Sequence, residues 1–104
     1  MRPHLILAAD FGSSSVKAGL FTLDLSLVAS ASAVYPTERP RPGHAEQHPE
    51  RLWEAFRSVC AALLGEADGS GERIAVIGIS SHYPSMLPVD ASGAALFPAQ
   101  TWMD

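Results

Sequence analysis

The sequence has one cysteine, Cys60, and one lysine, Lys17, in 104 residues. A single cysteine cannot close an intramolecular disulfide, so a reducing compartment is the expected setting. Basic residues number seven against eleven acidic ones, for a net charge of -4. The seven are dispersed and make no basic face, which excludes a nucleic-acid partner of the phosphate-gripping kind. Long apolar runs are also missing. Leu5-Ile6-Leu7-Ala8-Ala9 is closed by Asp10 too early for a signal-peptide core, and nothing approaches the roughly 18 apolar residues of a membrane helix. The expectation is a cytoplasmic chain with neither a nucleic-acid nor a membrane partner. Eight glycines and eight prolines are scattered without a repeat, and 47% of residues are hydrophobic. Collagen-like, low-complexity and disordered classes are thereby excluded, and the length suits one small core rather than two.

The apolar period then sets the order of elements. His4 to Asp10 reads as a buried strand, Phe11-Gly12-Ser13-Ser14 as a tight turn, and Val16 to Thr22 as the returning strand of a hairpin. Leu23 to Ser26 is a second turn. Leu27 to Tyr35 sets Val28, Ser30, Ser32 and Val34 against Ala29, Ala31, Ala33 and Tyr35, a half-buried third strand. Pro36, Pro40, Pro42 and Gly43 predict an extended loop up to His48. Pro49 suits the first position of a helix, and Glu50 its positive end. Leu52, Trp53, Phe56, Val59, Cys60, Leu63 and Leu64 form one predicted core stripe, with Cys60 packed rather than reactive. Ile74 to Ser80 is a continuous apolar run, predicted as a parallel strand buried on both faces. A short strand over Met86–Val89, a turn at Asp90–Gly93 and an extended piece over Leu96–Trp102 complete the chain. The terminal Thr101-Trp102-Met103-Asp104 carries an indole and a carboxylate where domains usually fray, and reads as a chain cut short.

The segment Asp10-Phe11-Gly12-Ser13-Ser14-Ser15-Val16-Lys17 carries the chemistry. A carboxylate can hold a hydrated magnesium ion, turn amides and hydroxyls can bind phosphate oxygens, and a lysine adds positive charge. It is not a Walker loop, since the Gly-Lys-Ser/Thr ending and the following helix are missing. On these residues alone an ordinary hairpin turn capped by Asp10 fits as well.

A meander, a crossover helix and a buried strand resemble the opening of a ribonuclease-H-like (actin-like ATPase) α/β domain. Asp10 to Lys17 resembles the first phosphate motif of the sugar-kinase, heat-shock-protein and actin superfamily. Three more stretches narrow the resemblance to the FGGY carbohydrate kinases. Pro42-Gly43-His44-Ala45-Glu46-Gln47-His48-Pro49 is similar to their Pro-Gly-x-x-Glu-Gln-Asp-Pro segment. Ile77-Gly78-Ile79-Ser80 resembles the strand before their substrate loop. Pro98-Ala99-Gln100-Thr101-Trp102-Met103-Asp104 resembles Pro-Ala-x-x-Trp-x-Asp, with Met103 where Asn is usual. The likeness covers essentially the whole chain, in order.

That resemblance implies an ATP-dependent kinase acting on a sugar or polyol, with residues 1–104 as the incomplete N-terminal part of its first lobe. It implies Asp10 as a catalytic residue that organises Mg2+ through water, and Lys17 as its cationic aid. Gly12, Ser13, Ser14 and Ser15 would contact the transferred phosphate. His82, Tyr83, Pro84, Trp102 and Asp104 would shape the sugar site. The substrate loop departs from the family's frequent Ser-Gly-Gln-Met-His-Gly: here it is Ser80-Ser81-His82-Tyr83-Pro84-Ser85. Tyr83 and Pro84 stand where the family carries Met and His, or Arg and Glu in its glycerol-type members; Pro84 offers no side-chain hydrogen bond, and His82 either substitutes for the histidine or is a plain loop residue. Tyr83 stacks on a sugar or caps the core; Trp102 lines the sugar pocket or packs an interface. The base aspartate, the second phosphate motif and the adenosine site of the resembled family lie beyond these residues. The remainder of the kinase chain is therefore an implied partner, and the 104 residues alone are expected to be inactive. The oligomeric state stays open, a homodimer included.

Two other classes share the element order. A ribonuclease-H-like nuclease needs several carboxylates around two metals, but the Ile74–Ser80 run ends in a serine, and the helix carries Glu54 with no second partner evident. A non-catalytic remnant that folds and binds without turnover is the third class.

Overall fold

The computed structural model describes residues 4–67, 70–82 and 85–101. Tyr83, Pro84, Trp102, Met103 and Asp104 lie outside these described residues. The chain forms β1 (Leu5–Phe11), β2 (Ser15–Thr22), β3 (Leu27–Val34), a two-residue β4 (Glu46–Gln47), α1 (Pro49–Glu66), a 3-10 turn (Ser70–Arg73), β5 (Ile74–Ser81) and a two-residue β6 (Ala99–Gln100). The main sheet has the order β3-β2-β1-β5. The meander β1-β2-β3 is antiparallel throughout, and β5 joins β1 in parallel after the helical crossover.

Alternation decides which face is buried. Leu5, Leu7 and Ala9 on β1, Val16, Ala18 and Leu20 on β2, and Ala29 on β3 are all buried. Period-two spacing places such residues on one side of the sheet. Helix α1 packs over β2 and β3 on that side. Its Ala55, Val59 and Leu63 complete the core, with Leu52 and Phe56 against it. Pro49 occupies the helix start as expected, and His48 precedes it without a side-chain cap.

Three expectations need correction. Strand β5 is not buried on both faces: Val76, Ile77 and Ile79 are 51%, 54% and 64% exposed. Ile77 and Ile79 lie beside Leu7 and Ala9 in the parallel register, on the helix-facing side. The helix rests on β2 and β3, so no described residue covers them. The apolar stripe of α1 also shifts. Trp53 is 59% exposed, while Ala55, absent from the predicted stripe, is buried. The helix lies with 52, 55, 56, 59 and 63 toward the sheet, and Trp53 turns aside to pack on the Phe56 ring at 6.0 Å. Finally, the proline loop is not wholly irregular. Glu46–Gln47 pairs with Ala99–Gln100, and Glu38 bridges Glu46. The expected strands at 86–89 and 96–102 contract to this β6 pairing and to single bridges at Met86 and Val89.

Candidate functional site

Strand β1 is central to the site because its two neighbours run in opposite senses. Its carboxyl end enters the turn into β2, and the same end lies beside the carboxyl end of β5. Asp10 therefore stands opposite Lys17 on one side and Ser80 on the other. Among the described residues Asp10 and Lys17 do not close an ion pair; the Ser80 hydroxyl donates to Asp10 Oδ1 at 3.1 Å. Asp10 is exposed. An open depression of about 590 Å³ spreads before it, with Asp10, Lys17 and Ser80 at its polar end and Ala8, Gly19 and Gly78 among the small residues of its floor.

The turn is closed by the Gly12 amide donating to the Ser15 carbonyl at 2.8 Å. A Cβ at Gly12 would stand 3.3 Å from that same oxygen, which accounts for glycine in this place. Behind the turn lie two residues that were not among the sequence-derived site candidates. The Tyr35 hydroxyl donates toward the Gly12 and Ser15 carbonyl oxygens, the latter at 3.0 Å. Its backbone N–H donates to Ser14 O at 3.0 Å. The Gln47 side-chain amide donates to Ser13 O at 2.8 Å and to Thr37 Oγ1 at 3.0 Å. Tyr35 is 4% exposed and Gln47 is fully buried. Tyr35 had stood only as the last residue of a strand, and Gln47 only as part of a motif. A phenol on a half-buried strand and the place of Gln47 in the Pro-Gly-x-x-Glu-Gln stretch were the signals available.

Burial pushes the Tyr35 hydroxyl up to about 12, with the negative charge of Asp10 adding to it. The phenol thus stays protonated, and stays a donor, well past the ordinary 10.0. A raised folded-state value means that the stabilisation is complete below pH 10.0 and is lost as pH climbs from there through about 12. An alkaline absorbance titration of tyrosinate is expected to show a delayed group at about 12. Tyr35→Phe should delete the delayed group, because the chain has two tyrosines. A delayed group that persists in that variant would refute the assignment.

The loop after β5 opens beside the turn. The His82 amide donates to Phe11 O at 2.8 Å, and His82 Nδ1 meets Ser85 Oγ at 2.8 Å. The second small ladder brings the chain's last described residues toward the same region. Thr101 N donates to Ala45 O at 3.0 Å, and β6 pairs with β4, whose Gln47 holds the turn. The structure thus gathers Asp10, Lys17 and Ser80 at one end of the sheet, with the 12–15 turn and His82 adjoining. No group of three or more His, Cys, Asp or Glu side chains converges among the described residues. No helix of the described residues is long and apolar enough to cross a membrane.

A mixed sheet with an exposed carboxylate and a serine turn at the end of its central strand, backed by one crossover helix, is the actin-like ATPase architecture seen in the first lobe of sugar kinases. The chain belongs to the FGGY family of carbohydrate kinases, whose N-terminal domain matches residues 5–104. It is 35% identical over 100 residues to a glycerol kinase of Rhodopseudomonas palustris, covering 95% of this chain and 20% of that protein. Its structure superposes on gluconate kinase from Lactobacillus acidophilus with a TM-score of 0.90 at 28% identity, covering 99% of this chain and 20% of that one. Xylulose kinase from Rhodospirillum rubrum gives 0.90 at 32% identity over 97% of this chain and 21% of that one. The chain thus spans about a fifth of the length of the curated relatives it matches.

Proposed function

We propose that this chain is the incomplete N-terminal part of the first lobe of an ATP-dependent sugar or polyol kinase, working with the rest of a longer polypeptide in the cytoplasm. The observation that carries the reading is the meeting of Asp10, the 12–15 turn and the post-β5 loop at one end of the parallel β1–β5 pair. Loops at the carboxyl ends of parallel strands are where such sheets bind ligands. Phosphoryl transfer demands positioning and charge stabilisation more than covalent chemistry from the protein.

In this reading Asp10 is the carboxylate that organises magnesium through water. The fit is chemical: the group is an exposed oxygen donor, steadied by one hydroxyl from Ser80, with small neighbours that leave room for a hydrated hard cation. Magnesium, when bound, neutralises charge on the phosphates of ATP. Gly12, Ser13, Ser14 and Ser15 receive the transferred phosphate on amides and hydroxyls. Lys17, the partner of Asp10 across the ladder, supplies positive charge. His82, Tyr83, Pro84, Trp102 and Asp104 shape the sugar site. The base that deprotonates the sugar hydroxyl belongs to the remainder of the chain.

The test is sugar-dependent ADP release by the full-length polypeptide with magnesium, over a panel of ketoses, aldonic acids and polyols. If no member of the panel raises ADP release above the blank, the kinase reading falls. Within the panel, xylulose is expected to be a poor substrate. A site that loses a hydrogen bond to a substrate hydroxyl leaves that hydroxyl desolvated and unpaired. Pro84 stands where the resembled loop carries a histidine, and the expected loss is roughly tenfold to a hundredfold in kcat/KM. The highest kcat/KM for xylulose, unaltered by His82→Ala, would show the argument from Pro84 to be wrong.

A further inference from the structure

We propose that Gln47, seconded by Tyr35, is a positioning residue that holds the carbonyl oxygens of the 12–15 turn away from the phosphate, an inference that rests on the kinase reading above. Four consecutive carbonyls are engaged from behind. Gly12 O is held by the Tyr35 hydroxyl, Ser13 O by the Gln47 amide, Ser14 O by the Tyr35 backbone and Ser15 O by Gly12 N and the Tyr35 hydroxyl.

A carbonyl oxygen carries partial negative charge, and one facing the ligand side would repel a phosphate. A planar trans peptide sets the following N–H opposite to the carbonyl. Pinning Ser13 O to Gln47 therefore turns the Ser14 N–H to the other side. The hairpin by itself enforces none of this beyond its one closing bond, because Ser13 and Ser14 make up its tip.

The cost of Gln47 argues that it is kept for more than stability. It is a fully buried amide, and its Oε1 finds no hydrogen-bond partner among the described residues. A buried unpaired acceptor is destabilising, and leucine would fill a similar space without one. What leucine cannot do is donate to Ser13 O and Thr37 Oγ1 together. Gln47 also belongs to β4, which pairs with β6, and Ala45 beside it accepts from Thr101. One residue thereby joins the phosphate turn to the strand that leads into Trp102 and Asp104. The side chain holds the turn, whereas β4 holds β6 through its backbone, which Gln47→Leu leaves in place.

The experiment uses the full-length polypeptide in four forms: unaltered, Gln47→Leu, Tyr35→Phe and the double variant. Sugar-dependent ADP release by the unaltered protein is measured first. Its absence would overturn the kinase reading, while amide hydrogen exchange still judges the brace. In Gln47→Leu, exchange across residues 12–16 is expected to quicken while α1 and β5 keep their protection. Per folded molecule, kcat should fall roughly tenfold to a hundredfold, the scale of loss when a reacting group is misplaced by about an ångström. KM for the sugar should hold, which a general loss of structure would not produce. The double variant should lose little more than the worse single one, because both residues act on one turn. If Gln47→Leu does not fold, Tyr35→Phe carries the same two readouts. Unchanged exchange in the turn, or activity that falls only with the folded fraction, would overturn the proposal.

Discussion

Asp10→Ala in the full-length polypeptide is expected to remove on the order of a thousandfold or more of kcat, the upper range for deleting one preorganised electrostatic group from a transfer site. The fold should survive. Asp10 is exposed at a strand end, and its side-chain partner among the described residues, the Ser80 hydroxyl, can turn to water instead. Truncating a surface carboxylate with such a partner changes stability by about 0.5 kcal/mol or less. The two results separate cleanly: a thermal unfolding midpoint close to that of the parent, and turnover near the blank. Asp10→Asn is the sharper companion, since it keeps shape and a hydrogen bond to Ser80 but loses the charge. Turnover within tenfold of the parent in either variant would take Asp10 out of the chemistry.

The 104 residues purified by themselves are expected to release no ADP in a sugar-dependent way. The matched relatives are about five times longer, and the family resemblance puts the base aspartate and the adenosine site in the remainder. The part in hand supplies one carboxylate, one turn and one lysine at an open sheet end. Rate acceleration by positioning needs nucleophile, phosphate and metal held at once. Closure around substrate also needs a facing surface. The measurement is a coupled ADP assay with magnesium-ATP and the same sugar panel. Sugar-dependent release above the blank from this segment would mean that the catalytic apparatus is contained within it.

The elements were largely legible because each announces itself in a short window. The hairpin at Gly12, the period-two run over 27–35 and the three-and-four spacing from Leu52 to Leu63 are local signals, and all three hold. The burial of β5 was not legible. Ile74 to Ser81 has the composition of a core strand, yet whether a strand is covered depends on what packs over it, and α1 stops at β2 and β3. Trp53 was misplaced for a related reason: a helical stripe is wider than the contact it makes, and the sheet's shape chooses its centre. In the candidate site, Asp10 and the serine turn are a contiguous motif and could be found by eye. Their supports could not. The Tyr35 hydroxyl reaches back 23 and 20 residues, Gln47 reaches back 34, and Ser80 meets Asp10 across 70. Such side-chain bonds over long separations follow from register and topology, which a linear pattern does not contain.

The uncovered β5 bears on biosynthesis. The 100 matched residues make up 20% of the Rhodopseudomonas relative, so in a protein of that size roughly 400 residues remain to be made, at about 5–20 residues per second, after this segment is synthesised. For the better part of a minute a nascent chain would carry an eight-residue strand with one unpaired edge and apolar side chains on both faces. Such an edge is a template for pairing with a neighbouring nascent chain on the same message. Slowing elongation downstream of the codon for Ser81 should lower the yield of soluble protein more than the same delay placed before the codon for Ile74.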